Sequence, residues 1–150
     1  MTATLANAKT ILEADTGNLV LLATGGIWDW DETGRMGINR SNTLTAAAWT
    51  SGIIKPCLLL KLASSVPFGD IADDPNKLVS VREMLEVWAY QDAGYATIKS
   101  MLDRAYTLLQ GEKLGGFACR FAQKVQPPGR DIEMDACVEY DRYAVITLKS

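Results

Sequence analysis

The chain of 150 residues contains no histidine. Without an imidazole, neither a Ser-His-Asp nor a Cys-His catalytic arrangement can form. The three cysteines, Cys57, Cys119 and Cys137, are widely spaced and include no CxxC pair, so we expect buried thiols and no zinc site. The sequence therefore predicts no metal and no cofactor, and any acid–base chemistry would fall to carboxylates or lysine.

A basic excess and long apolar runs are also missing. The chain carries 15 basic and 18 acidic residues, a net charge of −3. Proteins that grip nucleic acid through its phosphates show a basic surface, so tight non-specific DNA binding is disfavoured. The apolar runs at 19–23 and 57–60 are too short to cross a bilayer, and residues 1–9 do not have the pattern of a secretory signal. We expect no membrane partner.

The periodicity of the apolar residues predicts a mixture of helices and strands. Thr4 is expected to cap a first helix, helical spacing recurs in a short turn at 19–23, and Asp92 is expected to cap a later helix. Alternating or continuous apolar segments predict four strands, at 57–62, 78–90, 117–125 and 136–148. A polar linker with turn-forming residues is expected at 64–76.

Length and element order together predict the fold class. A chain of this size, with 48% apolar residues, is typical of one globular domain. The order is helix, loop, two strands, helix, two strands, which does not force a parallel doubly wound sheet. We expect a single α+β domain over 1–150, with a mostly antiparallel sheet and helices packed on one face.

A long irregular loop at about 27–55 is the least periodic part of the chain. It follows the glycine pair 25–26, which we interpret as a turn, and long loops are often functional or order on binding. Tryptophan and arginine are enriched where interfaces are tight. The interface candidates are therefore Trp28, Trp30, Arg35, Arg40 and Trp49. Packing within the subunit is the alternative for Trp28 and Trp30.

The acidic residues do not form a recognisable catalytic or metal site. Neither the group Asp29, Asp31 and Glu32 nor the group Asp70, Asp73 and Asp74 has the spacing of a calcium loop, so both are interpreted as solvated loop acids. Glu83 and Glu86 lie three apart on a predicted strand and face opposite sides, which excludes a carboxylate pair. The sequence predicts no catalytic residues and no enzyme.

Several segments resemble one family of virion proteins. These are the N-terminal helix, the sequence Leu21-Leu22-Ala23-Thr24-Gly25-Gly26-Ile27-Trp28-Asp29, Lys55-Pro56 ahead of an apolar strand, and the last predicted helix with the strands that follow it. Together they resemble the tail terminator (tail-completion) proteins of long-tailed bacteriophages. The resemblance implies a small α+β fold, a structural role without catalytic residues, and assembly as a six-fold ring on the head-proximal end of the tail tube.

The same resemblance implies partners and a location. The ring would stop tube polymerisation and join the tail to the head, so the partners are further copies, a tail-tube protein and a head-connector protein. DNA would pass through the ring without specific binding. The protein would reside in the tail or neck of the virion, after assembly in the host cytoplasm.

Two other classes of protein remain open from the residues alone. One is a different virion ring protein, a head-closure protein or a tail-tube subunit. The other is a small carboxylate-dependent enzyme. A shared scaffold does not separate these functions, because many functions use similar α+β folds.

Overall fold

A computed structural model describes residues 3–67, 79–114, 118–125 and 130–149. The helices are α1 (Ala3–Glu13), α2 (Leu19–Leu22), a 3₁₀ helix (Thr43–Ala48) and α3 (Ala96–Leu109). The strands are β1 (Ile27–Asp29), β2 (Trp49–Thr50), β3 (Ile53–Ile54), β4 (Cys57–Pro67), β5 (Val79–Gln91), β6 (Arg120–Val125), β7 (Arg130–Asp131) and β8 (Ala136–Lys149).

The main sheet has the strand order β1-β4-β5-β8-β6, and β7 also pairs with β8. Among the described strands, β1 pairs with β4 in parallel, while the contacts of β5 with β4 and of β8 with β5, β6 and β7 are antiparallel. The predicted α+β class with a mostly antiparallel sheet is confirmed. β1 was not predicted as a strand, because three residues are too few for a period to show in the sequence.

The predicted linker at 64–76 begins too early. β4 continues to Pro67 and pairs with β5 beyond a bulge between Leu62 and Ser64. The ladder with the long neighbouring strand overrides the turn chemistry of these residues, because a bulge lets pairing resume after one extra residue. The rest of the predicted linker, residues 68–76, lies outside the described residues.

α1, α2 and α3 pack on one face of the sheet, as predicted. The strand residues that point to the helices alternate along each strand, for example Leu85, Val87 and Ala89 on β5. The helices bury a stripe against them, made by Leu5, Ala8 and Leu12 on α1 and by Ile98, Leu102, Ala105 and Leu109 on α3. We call this the helix-covered face.

The predicted helix caps are wrong in both places. α3 begins at Ala96, and its first turn is capped by Gln91, whose Oε1 accepts hydrogen bonds from the amides of Thr97 at 3.0 Å and Ile98 at 3.1 Å. Gln91 ends β5, so its side chain reaches the orphan amides that Asp92 was expected to satisfy. Thr4 lies inside α1 rather than ahead of it.

The opposite face of the sheet has a different cover. Residues 30–56 fold over one half of it, where Ile38, Ala48 and Ile54 pack against strand residues that include Leu59 and Tyr90. The segment predicted as an irregular loop at about 27–55 thus contains β1, a 3₁₀ helix and a short hairpin of β2 and β3. Ser51 and Gly52 turn that hairpin with φ of 52° and 79°, as a type I′ turn requires. We call this the loop-covered side.

The three cysteines are free and buried, as predicted. Cys57 lies in β4 and Cys137 in β8, whereas Cys119 directly precedes β6. Burial raises the pKa of the Cys119 thiol to about 12, and it also raises the pKa of Cys57. These thiols act as small apolar side chains of the core.

Candidate interface

Trp28 is held in place by the turn that precedes it. Its Nε1 donates a hydrogen bond to the carbonyl of Gly25 at 2.9 Å, and its half-buried ring packs on the loop-covered side. The turn needs glycine, because a Cβ at Gly25 would lie 2.7 Å from the carbonyl oxygen of Lys55. The structure thus gives Trp28 an intramolecular role and leaves part of its ring accessible.

Trp30 lies just beyond β1, and its backbone amide donates to the Leu60 carbonyl at 2.8 Å. The half-buried ring packs against the core of the helix-covered face. The Lys61 ammonium lies 4.7 Å from its ring centroid and 4.1 Å from that of Trp88. Trp30 therefore belongs to a different cluster from Trp28, although the two residues are only two apart.

Arg35 and Arg40 are both exposed on the loop-covered side. Arg35 has a positive φ of 62°, and its Nε lies 3.3 Å from Asp31 Oδ1, an exposed pair of the kind that contributes about 0–1 kcal/mol. The Arg40 guanidinium lies 5.4 Å from the centroid of the Trp49 ring. The structure therefore brings together Arg40 and Trp49, but not the five candidates as one site.

The Arg40–Trp49 pair lines a pocket of about 250 Å³. Asn42 also lines the pocket and is buried, donating from Nδ2 to the Gly37 carbonyl at 2.7 Å and accepting from the Leu44 amide at 3.0 Å. Trp49 Nε1 is buried and has no acceptor among the described residues. The pocket is thus formed by a loop that is internally hydrogen-bonded.

Large apolar side chains are exposed on the same segment. Met36, Leu44 and Ile53 are 59%, 58% and 53% exposed. The hydroxyl of Thr45 donates to the Asn42 carbonyl, so the backbone that presents Leu44 is ordered by its own hydrogen bonds. Exposed apolar residues beside an arginine and a tryptophan are typical of protein interaction surfaces.

A second group of aromatic and charged residues was missed from the sequence. It lies on the face opposite the helices, where the rings of Trp88 on β5 and Tyr140 on β8 stack at 3.9 Å between centroids. Glu86 is buried, and it accepts from Trp88 Nε1 at 3.0 Å and from Arg142 Nε at 2.7 Å. The alternation of each strand placed these residues on one face, but only the register of β5 with β8 shows that they touch.

The charged residues of this group are wholly or partly buried, and each lies close to a compensating partner. Desolvation lowers the pKa of Lys61, against the opposing effect of the nearby Glu86 carboxylate. The hydrogen bond to Glu86 raises the pKa of Arg142. Every charge of the group has an opposite charge or a π face beside it. The arrangement is that of a paired structural network rather than of a reactive acid or base.

One acidic prediction is wrong. Asp29 was interpreted as a solvated loop acid, but it is fully buried at the end of β1, with Lys9 Nζ 3.6 Å from its Oδ2. Lys9 also pairs with Glu32 and, at 3.6 Å, with Glu13. Packing of α1 on β1 brings this lysine to the acids, which no local pattern in the sequence indicated. Asp70, Asp73 and Asp74 lie outside the described residues.

No group of three or more potential metal ligands exists within residues 3–67, 79–114, 118–125 and 130–149. None of the helices in the part of the chain that the structure describes is long and apolar enough to cross a membrane. The carboxylates Glu83 and Glu86 point to opposite faces, as their spacing predicted, because Glu83 accepts from Thr147 while Glu86 accepts from Trp88.

The fold is similar to that of a chain in a solved structure described as "Virion of native gene transfer agent (GTA) particle". The TM-score is 0.61 with 16% sequence identity, and the similarity covers 97% of this chain and 94% of that one. No protein-family model and no curated protein matches the sequence. At this identity the similarity shows a shared fold over nearly the whole length of both chains.

Proposed function

We propose that this chain is a structural protein of a phage-like virion, and that it acts as a tail terminator. In this role it forms a six-fold ring at the head-proximal end of the tail tube, stops tube polymerisation and joins the tail to the head connector. The observation that carries the proposal is the fold shared, end to end, with a chain of a gene transfer agent virion. The more specific role of tail terminator is inferred from segment 21–29 and from the other segments that resemble that family.

The surface of the subunit suits repeated association. Met36, Leu44 and Ile53 are exposed on the loop-covered side, next to the Arg40–Trp49 pocket. A single soluble copy gains nothing from exposing three large apolar side chains on one ordered segment. Contact with neighbouring copies or with the tube would remove them from water, at about 25 cal/mol per Å² of apolar surface.

The edges of the sheet also suit a ring. β1 covers only three residues of β4, and among the described strands nothing pairs with the outer edge of β6. An unpaired strand edge can pair with other chains and cause aggregation unless it is protected. A bulge between Phe121 and Gln123 and the charged residues Arg120 and Lys124 protect β6 in this way. In a closed ring such edges face identical neighbours in a fixed geometry.

The charge of the chain agrees with passage of DNA. A ring around the genome functions only if the polymer slides through it, and a basic lining would hold the phosphates. The net charge of −3 provides no general attraction for DNA. We therefore expect no specific binding of DNA and no dependence of ring formation on it.

The mass and the shape of the assembly in solution test the proposal. Purified protein at increasing concentration is expected to give a closed ring by negative-stain microscopy, with a mass of six copies by light scattering. A protein that stays monomeric at every concentration would overturn the assembly role. A measured turnover that one carboxylate-to-alanine change abolishes, while assembly stays intact, would instead support the enzyme alternative.

A tube-capping assay separates the terminator from other rings. Purified ring added to polymerising tail-tube protein is expected to stop growth at one end and to give tubes of limited length. A head-closure ring would leave tube length unchanged, and a tube subunit would itself polymerise into tubes. The control is the monomeric fraction of the same protein.

A further inference from the structure

The turn between β7 and β8 displays an isoleucine almost fully to solvent. Ile132 is 93% exposed, the largest exposure of any large apolar residue that the structure describes. It lies at the tip of residues 131–135, which we call the apical turn. Glu133 beside it is also exposed, and the described residues offer it no ion pair or hydrogen bond.

The apical turn is held by hydrogen bonds and by one buried side chain. Met134 anchors it in the core of the loop-covered side, and its amide donates to Asp131 Oδ1 at 3.1 Å. Arg130 donates from Nε to Asp135 Oδ1 at 3.0 Å and also contacts the Asp92 carbonyl. Such a turn holds Ile132 in one position before any partner arrives. A preformed contact of this kind loses little conformational entropy on binding.

The Arg40–Trp49 pocket has the complementary properties. Its volume of about 250 Å³ exceeds the roughly 150 Å³ cavity that accommodates a benzene ring, so it can accept an isoleucine side chain. Arg40 is exposed on its rim and, among the described residues, stacks on Trp49 without a carboxylate partner. The internal hydrogen bonds of Asn42 hold the pocket open without a ligand.

We propose that the apical turn of one copy inserts Ile132 into the Arg40–Trp49 pocket of a neighbouring copy, where Glu133 pairs with Arg40. This inference rests on the proposed function, because it describes a contact between identical copies in an assembly. The turn and the pocket are formed by different segments of the chain, residues 131–135 and residues within 40–52. Such a head-to-tail contact gives every copy one turn and one pocket, and it closes into a ring when the rotation between copies permits.

A second copy of the chain is the favoured occupant of the pocket, because every copy carries both the apical turn and the Arg40–Trp49 pocket. The exposed carboxylate next to the apolar tip matches the unpaired guanidinium next to the apolar pocket. The turn cannot already occupy its own pocket, since Ile132 is 93% exposed. On a single subunit Ile132 is left in contact with water, and insertion into the pocket of a second copy would remove this apolar surface from it.

Charge reversal and rescue test the contact. Assembly of the full chain is measured by light scattering over a concentration series for Arg40→Glu, for Glu133→Arg and for the double variant. Each single change is expected to raise the concentration for half-assembly by about tenfold or more, as at an interface hot spot. The double variant is expected to recover most of the loss, because it restores an opposite-charge pair.

Ile132→Asp tests the apolar half, with Leu21→Asp as its control. Leu21 is 68% exposed on α2 and lies outside the apical turn and the pocket. Ile132→Asp should impair assembly about as strongly as Arg40→Glu, while Leu21→Asp should not. The thermal unfolding midpoints of the Ile132→Asp and Leu21→Asp subunits should stay close to that of the unchanged chain.

The outcomes separate this contact from the proposed function. If the unchanged chain and all these variants form rings at the same concentration, the proposed contact is wrong, while the proposal of a ring is retained. If the unchanged chain associates through this contact without closing into a ring or capping tubes, the contact stands and the terminator role falls. A chain that never associates overturns both.

Discussion

The two faces of the sheet are covered in opposite ways. On the helix-covered face, α1, α2 and α3 bury an almost purely apolar interior in which Leu5, Leu12, Leu85 and Leu102 are at most 1% exposed. On the loop-covered side, residues 30–56 form a thin cover whose order depends on hydrogen bonds of side chains such as Asn42. The same cover leaves Met36, Leu44 and Ile53 exposed.

The contrast teaches which side folds the subunit and which side meets other molecules. Removing large apolar surface from water is the main stabilising contribution to a fold, and the helix-covered face supplies most of it. A cover with exposed apolar residues and a preformed pocket contributes less to folding. It is available for contacts, as expected for loops held on a rigid scaffold. The predictions below test that division.

The largest expected effect is in the core of the helix-covered face. Leu85→Ala removes a side chain that is 0% exposed, and we expect a loss of about 2–5 kcal/mol in the free energy of unfolding. Leu44→Ala on the loop-covered side, where the side chain is 58% exposed, is the matched control and should change stability by less than about 0.5 kcal/mol. Urea unfolding measures both, and equal losses would remove the distinction between the two faces.

A comparable effect is expected where α1 meets β1. Lys9→Met leaves the buried Asp29 carboxylate without its cation, and breaking a buried pair in this way costs roughly 3–5 kcal/mol. The double variant with Asp29→Asn removes the stranded charge and should recover part of the loss. Urea unfolding of the two variants provides the comparison. A double variant no more stable than Lys9→Met would show that Asp29 does not depend on this lysine.

Trp30 is intermediate between a core residue and a surface residue. Its half-buried ring packs against the core of the helix-covered face and also lies beside Lys61. The sequence predicts that Trp30→Ala weakens ring formation or docking while the subunit stays folded. We expect a drop in the melting temperature that is smaller than that of Leu85→Ala, together with a clear loss of assembly. A drop equal to that of Leu85→Ala would make the ring part of the core and the interface assignment wrong.

The smallest expected effect is a pH dependence at Asp141 on β8. Burial raises the pKa of this carboxyl, although Lys124 Nζ lies 3.0 Å from its Oδ1. Because the folded-state pKa is above the unfolded one, stability falls as the pH rises from the unfolded pKa through the folded one. Asp141→Asn should therefore flatten the stability profile in that acidic range and leave neutral-pH stability equal or slightly higher.

Much of the architecture could be predicted from local patterns. The alternation along 78–90 predicts that Leu85, Val87 and Ala89 share one face of the strand, and in the structure that face is the one the helices cover. The free, buried cysteines followed from their number and spacing. These predictions succeeded because a period of 2 or 3.6 is a property of neighbouring residues alone. The cap of α3 was predicted wrongly, because the side chain of Gln91 at the end of the preceding strand reaches the helix amides in place of Asp92.

The candidate interface was accessible to the sequence only as a region. Tryptophan and arginine content identified residues 27–55, yet the structure divides four of the five candidates between the Lys61 cluster, the Gly25 turn and the Arg40–Trp49 pocket. The fifth, Arg35, pairs with Asp31 instead. Ile132 carried no signal, because a single isoleucine in a polar segment looks the same whether it is buried or exposed. Their roles in assembly stay predictions.

The sequence by itself determined the fold class and the absence of imidazole chemistry, because these depend on composition and on short periods. Only the tertiary structure decided that Lys9 meets Asp29, that Trp88 stacks on Tyr140, and that a hydrogen-bonded turn exposes Ile132. Those contacts depend on strand register and on how elements distant in sequence pack together. Burial and exposure are set by that packing and by no single segment of the chain.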